Sequence, residues 1–424
     1  KAHIFLTASM FKGKEWIEKY CKTQDIDDPM EYYCSAIKKY NHGFYVARNN
    51  LPYGHTKYTH LNYQTINTLA FTENQFERLL NRHCELIKEP INFLKGWDEI
   101  EESDEIDKHK MVCELPNWQK AVLLNESFEN DIYIKGELKN IQKSLLTKLA
   151  MGKVMVEGQT RYLCRDLLPL VASLLKNNRN IQDFFLKYLW GCFYMPMKEQ
   201  ADEFKTIKLN YSQYYAFFRN PHLARNEQVL LRPLAPVSEE EHHDNREAVT
   251  YERYNRYLNI YSRYFGHLTG IVMVPRGSTV PLCLGGADFD GDLVHIICDQ
   301  DVVEAVKKGV YDYDIKNSGE MERKLPVIKI PGTVPIKEVV PETVPYRHIR
   351  NTFSNRIGQI SNAAISIGQE EYGNGEVSDR KEYVEKYDPN KASCSKCTLL
   401  TGLEIDAAKN GKHPNLDLIL NGTQ

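Results

Sequence analysis

The sequence predicts an α+β protein with a strand-bearing centre between a helical N-terminal part and a mixed C-terminal part. Three observations carry that prediction. Behind Thr72-Glu-Asn-Gln75, a capping box, Phe76, Leu79, Leu80, Cys84 and Ile87 recur at helical spacing until Pro90. Val154-Met-Val156 and Leu293-Val-His-Ile-Ile297 are short apolar runs with neighbouring glycines, as strands are. No internal repeat or low-complexity tract points to a solenoid or a fibre.

Taken in order, residues 1–130 read as a mainly helical connector after a short strand. Residues 131–302 follow, with Ile132-Tyr-Ile134 and Val154-Met-Val156 strand-like and Leu167 to Trp190 helical. Tyr254, Tyr257, Tyr261 and Tyr264 recur every three or four residues, a stripe that suits packing better than base stacking. Residues 303–424 open beside a short helix, Val302 to Lys308. A proline-punctuated stretch from Pro326 to Pro345 reads as loop or edge strand, and a helix is expected from Thr352 to Ile367.

Chemistry concentrates in Leu284-Gly-Gly-Ala-Asp-Phe-Asp-Gly-Asp-Leu293, where Asp288, Asp290 and Asp292 fall within five residues. In an extended chain alternate side chains share a face, so Asp288 and Asp290 would point together, and Gly291 would let the chain bend to add Asp292. Three like charges so close repel unless a cation neutralises them. Oxygen ligands favour a hard ion, and Mg²⁺ suits them best. An EF-hand is excluded, because its sixth and twelfth positions would be Leu293 and Asp299 instead of Gly and Glu. A dehalogenase-type phosphohydrolase uses a similar Asp-x-Asp-Gly at the end of a buried strand, though Gly285 and Gly286 interrupt the apolar run it needs. An acidic surface turn is disfavoured by the strand-like flanks Pro281-Leu-Cys-Leu284 and Leu293–Ile297.

The acidic run resembles the Asp-Phe-Asp-Gly-Asp signature of the large catalytic subunit of multisubunit RNA polymerases. It more closely resembles the Gly-Gly-x-Asp-x-Asp-Gly-Asp-Leu form of single-chain two-barrel polymerases, which include RNA-dependent RNA polymerases of the gene-silencing type and their phage and bacterial relatives. Further segments follow in family order. Gly152-Lys-Val-Met-Val-Glu-Gly-Gln-Thr-Arg161 resembles the strand that opens the double-psi β-barrel, and Phe218-Arg-Asn-Pro-His-Leu-Ala-Arg225 resembles the family's Asn-Pro segment. Ser354-Asn-Arg-Ile-Gly-Gln-Ile-Ser-Asn362 and Ile405-Asp-Ala-Ala-Lys-Asn-Gly411 are similar to two later blocks. The likeness covers roughly residues 130 to 424.

The resemblance implies a double-psi β-barrel catalytic core over 131–302 and template-directed RNA synthesis. The partners would be a nucleic-acid template, the RNA product and nucleoside triphosphates. It implies two Mg²⁺ during catalysis, with Mn²⁺ an acceptable substitute, held by Asp288, Asp290 and Asp292. Gly286 stands where the multisubunit enzymes place an Asn that senses the ribose, so Arg219 alone would contact the substrate. Lys153, Arg225, Asp406 and Lys409 fall in the similar blocks as further candidates. Lys12 would belong to the tail of a first barrel, and the rest of that barrel to a missing N-terminal part of the same chain. The same architecture copies DNA templates in the prophage-type branch. A non-catalytic nucleic-acid-binding module stays open for a chain lacking its first barrel.

Composition fits an intracellular, cytoplasmic protein. The net charge is −3, from 54 basic and 57 acidic residues, so any nucleic-acid attraction must be local. Lys205, Lys208, Arg219, Arg225 and Arg232 gather around the Asn-Pro segment, and Arg253, Arg256, Arg263 and Arg276 lead up to the acids. The ten cysteines form no disulfide pattern, and Cys394-Ser-Lys-Cys397 finds no second pair at zinc spacing. His242 and His243 lie in an acidic loop and carry no role. No apolar run reaches the ~20 residues that cross a bilayer. The start lacks signal-peptide regions and a Met, and the chain reads as a piece of something longer.

Overall fold

The computed structural model describes residues 14–43, 58–91, 116–168, 191–196, 209–210, 213–222, 226–234, 259–268, 270–275, 278–313, 321–323, 356–363, 397, 400–405, 407 and 413–414. The chain divides into two compact units, residues 1–51 and 52–424. The first contains α1 (Lys14–Thr23) and α2 (Pro29–Lys39). Asp28 caps α2 by accepting from the Met30 and Glu31 N–H groups, and Pro29 sits in the first turn, where its missing N–H costs nothing.

In the second unit β1 (Tyr58–Leu61) leads into α3 (Tyr63–Thr68) and α4 (Glu73–Lys88). The capping box at Thr72 forms as the sequence predicts: Thr72 Oγ1 accepts from the Gln75 N–H and Gln75 Oε1 accepts from the Thr72 N–H. After α5 (Asn117–Leu124) comes α6 (Ile132–Ala150). Here the sequence reading is corrected: Ile132-Tyr-Ile134 opens a helix and is no strand. Asp131 accepts from the Tyr133 and Ile134 N–H groups, and this cap together with the long run behind it outweighs the β-preference of three residues.

The sheet is built on β2 (Val154–Arg165), which is long enough to serve three partners. Its first third pairs antiparallel with β1, Leu61 opposite Val154. Its middle pairs antiparallel with β7 (Leu293–Ile297), and its end runs parallel to β6 (Ile271–Val274). Beyond β7 lie β4 (Tyr215–Arg219), β5 (Val229–Pro233) and β3 (Cys192–Phe193). Tyr194, the residue after β3, exchanges both backbone hydrogen bonds with Met273 of β6. Hydrogen-bonded neighbours therefore run around a ring, β2–β7–β4–β5–β3–β6, which leaves these strands without a free edge.

Alternation along the ring sorts side chains into two apolar layers. Val294 and Ile296 of β7, Phe217 of β4 and Leu163 of β2 belong to one cluster. Phe218, Ile297 and Val156 belong to the other, under α4 and α8 (Gln300–Val310). Helix α8 presents Val302, Val303, Ala305, Val306 and Val310 to that layer, the spacing of one buried face. β2 and β7 approach so closely that a Cβ at Gly158 would lie 2.6 Å from the Ile296 carbonyl oxygen.

Tyr261 is buried, 4.9 Å from the Tyr194 ring, and donates to Asp166 Oδ2 at 2.6 Å, so this member of the tyrosine stripe packs. Residues 357–363 are helical within the segment expected to be so. Tyr254, Tyr257, most of the expected 167–190 helix, the proline-punctuated stretch and His242 with His243 lie outside the described residues. Among the described residues no helix is long and apolar enough to cross a membrane, and the eight cysteines among them form no disulfide.

Candidate metal centre

The acidic run is reached from a helical turn and left into a strand. Val280–Cys283 form the short helix α7, not the strand expected at Pro281–Leu284. The Cys283 and Leu284 N–H groups bond back to Thr279 and Val280, and the turn stops at Gly285 and Gly286, both with positive φ (66° and 72°). A side chain at Gly285 would also meet Glu227 Oε1 at 3.0 Å. The Ala287 N–H then donates to the Pro281 carbonyl, and the chain enters the acids already folded back.

Residues 288–292 bend; they are not the extended segment that alternation assumed. The Asp290 N–H donates to Asp288 Oδ1 at 3.2 Å and the Asp288 N–H donates to Asp292 Oδ2 at 2.9 Å, with Gly291 at a φ of 127°. Such short side-chain to backbone bonds are what Asp offers a turn. They gather the three carboxylates, whose ligand oxygens all lie within 4.8 Å of one another. The turn is pinned to the sheet by the Leu163 N–H, which donates to the Asp292 carbonyl at 2.8 Å. Beside it the Arg165 guanidinium lies 5.0 Å from the Phe289 ring centroid.

Arg219 arrives from the neighbouring strand. It ends β4 opposite Val294, two residues beyond Asp292, a diagonal that long side chains span. Its Nη2 donates to Asp292 Oδ1 at 3.2 Å, and its Nε lies 2.8 Å from Oδ2. Both side chains are about one-fifth exposed, so the pair is partly shielded from water. The Asp288 carboxyl titrates above the ordinary range, first because it hydrogen-bonds with Asp290, then through partial desolvation and the nearby charge of Asp290 and Asp292. Crowded carboxylates with this donor set, all oxygen and still open to solvent, fit a hard divalent cation such as Mg²⁺.

Of the other candidates, Lys153 is exposed at the opposite end of β2, where its charge acts on His60 rather than on the acids. Lys12, Arg225, Asp406 and Lys409 lie outside the described residues. The dehalogenase-type reading loses its geometry, since its nucleophile sits at the end of a strand and these acids precede one. Sequence reasoning missed His295 and Asn220, which touch each other beside Arg219. Their signal was positional: His295 is the polar member of the β7 alternation, and Asn220 follows the one Arg assigned to the site.

The family model described as RNA dependent RNA polymerase matches residues 255–422, a stretch that includes the acidic turn. Among solved structures, the RNA dependent RNA polymerase QDE-1 from Thielavia terrestris matches at 15% identity with a TM-score of 0.35. That alignment covers 85% of this chain and 36% of the other, so the chain spans little more than a third of that protein's length. No curated protein matches. The likeness to the RNA-dependent RNA polymerase family thus rests on residues 255–422, less than half of the chain.

Proposed function

We propose that this chain carries the catalytic barrel, of the double-psi type, of an RNA-dependent RNA polymerase. It would transfer a nucleotidyl group from a nucleoside triphosphate to the 3′-hydroxyl of a growing RNA on an RNA template, inside the cell. The observation that carries the reading is the acid turn itself: three carboxylates gathered within 4.8 Å in the segment that the polymerase family model matches, and faced by Arg219 from outside that segment. The closed ring of strands supports the barrel, because it fixes the start of β7 against the end of β4.

Asp288, Asp290 and Asp292 would hold Mg²⁺, and two such ions would activate the attacking hydroxyl and neutralise charge on the phosphates. Arg219 supplies the complementary part. Its guanidinium has five N–H donors in a rigid fork, more than Asp292 engages, and suits the phosphates or ribose of the incoming nucleotide. The first barrel, with the lysine expected at Lys12, would come from more of the same chain. A DNA template is the remaining alternative for this chemistry.

The test is incorporation of labelled nucleoside triphosphates with Mg²⁺ on matched single-stranded RNA and DNA templates, using the longest available form of the chain. Synthesis on RNA that Asp290→Ala abolishes is the expected result. Synthesis on DNA alone would reassign the template, and free phosphate without polymer would overturn the reading.

A further inference from the structure

A chain of polar side chains runs across the outer face of the barrel to the residue beside Arg219, and its hydrogen bonds admit only one direction. Asn62 caps α3, its Oδ1 accepting from the Thr65 N–H at 2.9 Å and from Thr65 Oγ1 at 3.0 Å. Only its Nδ2 is left to meet Asn220, so it donates to Asn220 Oδ1 at 2.9 Å. Asn220 must then turn its Nδ2 toward His295 Nε2, 2.8 Å away, which accepts. The His295 proton therefore sits on Nδ1 and is donated to Thr160 Oγ1 at 2.9 Å, and Thr160 can pass its own to Thr59 Oγ1 at 2.9 Å. Burial agrees, holding the imidazole neutral with its pKa pushed down to about 4.

The relay ties three elements together where the site needs them. Asn62 comes from the turn after β1, Thr160 from β2 and His295 from β7, and all converge on Asn220 as the chain leaves β4. The register puts Phe218 opposite His295 and Arg219 opposite Val294, so fixing Asn220 fixes the strand exit from which Arg219 reaches Asp292. Without that clamp, the last residue of a strand would have only one side of its backbone held.

Resting on the proposed function, we infer that Asn220 and His295 are positioning residues, which aim the Arg219 guanidinium at Asp292 and so at the nucleotide served by the acid turn. They act through Arg219 and touch no reacting atom.

Two readouts test this. In steady-state incorporation, His295→Leu and Asn220→Ala should raise KM for the nucleoside triphosphate about tenfold, more than they lower kcat. His295→Gln, which offers an acceptor and a donor in the same order, should restore most of the loss. In the Arg219→Gln background the same changes should add nothing further. The second readout is Mn²⁺ affinity, measured by paramagnetic titration without turnover. Removing the arginine's positive charge in Arg219→Gln should tighten Mn²⁺, and Asn220→Ala should shift it in the same direction only while Arg219 is present. Asn220 is exposed, so its variant serves if the His295→Leu chain does not fold. Independent, multiplicative effects of the relay and Arg219 in both readouts would overturn the inference. Coupled Mn²⁺ affinities in a chain that incorporates no nucleotide would sink the polymerase reading and leave the positioning role standing.

Discussion

Replacing Asp290 with Asn keeps the side chain's size and removes one of three charges whose ligand oxygens lie within 4.8 Å. At that separation two unit charges in water repel by roughly 0.9 kcal/mol. Asp290 faces both Asp288 and Asp292, so losing its charge relieves about 1–2 kcal/mol. Salt at physiological ionic strength trims this by roughly half, since the separation is more than half of the ~8 Å Debye length, so the comparison is made at low ionic strength. In EDTA the variant should therefore be more stable than the parent. With Mg²⁺ the order should reverse, since a ligand at a hundred times its Kd stabilises its host by about 2.7 kcal/mol, most of which the variant cannot gain. Urea denaturation at pH 8, in EDTA and in excess Mg²⁺, reads both signs. A variant less stable than the parent in EDTA, or one that responds to Mg²⁺ as fully as the parent does, would refute a carboxylate cage strained by its own charge.

Gly158→Ala should cost about 1–3 kcal/mol, because its new Cβ would meet the Ile296 carbonyl at 2.6 Å and neither strand backbone can retreat; the urea midpoint measures it. Asp166 is buried and its pKa is pushed up to about 6, so its favourable contribution is complete below about pH 4 and is lost as pH rises through 6. Asp166→Asn should thus leave stability nearly unchanged at pH 4 and raise it by about 1–2 kcal/mol at pH 8, less than the full shift implies, because the acceptor for Tyr261 is weakened. Mn²⁺ affinity, followed by titration, should fall with acidification from a higher pH than an isolated carboxylate would give, since protons compete at the raised Asp288; a profile no different from that of an isolated carboxylate would contradict this.

Much of the site could be read in the residues because its cause is local. Asp, Gly and Asp in alternation leave few other conformations, and the capping box at Thr72 announces α4 by the same logic. Where the sequence misled, the deciding interaction lay outside the window that was read. Ile132-Tyr-Ile134 has strand composition, yet Asp131 before it and the run to Ala150 after it make a helix. Pro281–Leu284 has the apolar composition of a strand. The glycines behind it, free to adopt positive φ, let it close as a helical turn instead. The acids were expected to converge by sharing one face of an extended chain, whereas the structure brings them together through backbone N–H groups bonded to their own carboxylates. The clustering of the three carboxylates was legible, and the means of assembling it was not.

The partnership between Arg219 and Asp292 could not be read from 73 residues of separation, because it depends on register. β4 and β7 pair so that Arg219 faces Val294, and a slip of one residue would turn every side chain of β7 to the other face. Two features oppose that slip. Val294 and Ile296 belong to one apolar layer and Ile297 to the other, so a slip would unseat each of them from the neighbours it packs against. His295 sits between them with both ring nitrogens engaged, and a slip would bury it among Val294's neighbours with neither satisfied. The same alternation that packs the sheet thereby sets which residue of β4 lies across from the acid turn. A polar residue in the middle of an apolar strand, unremarkable in the sequence, opposes any other register.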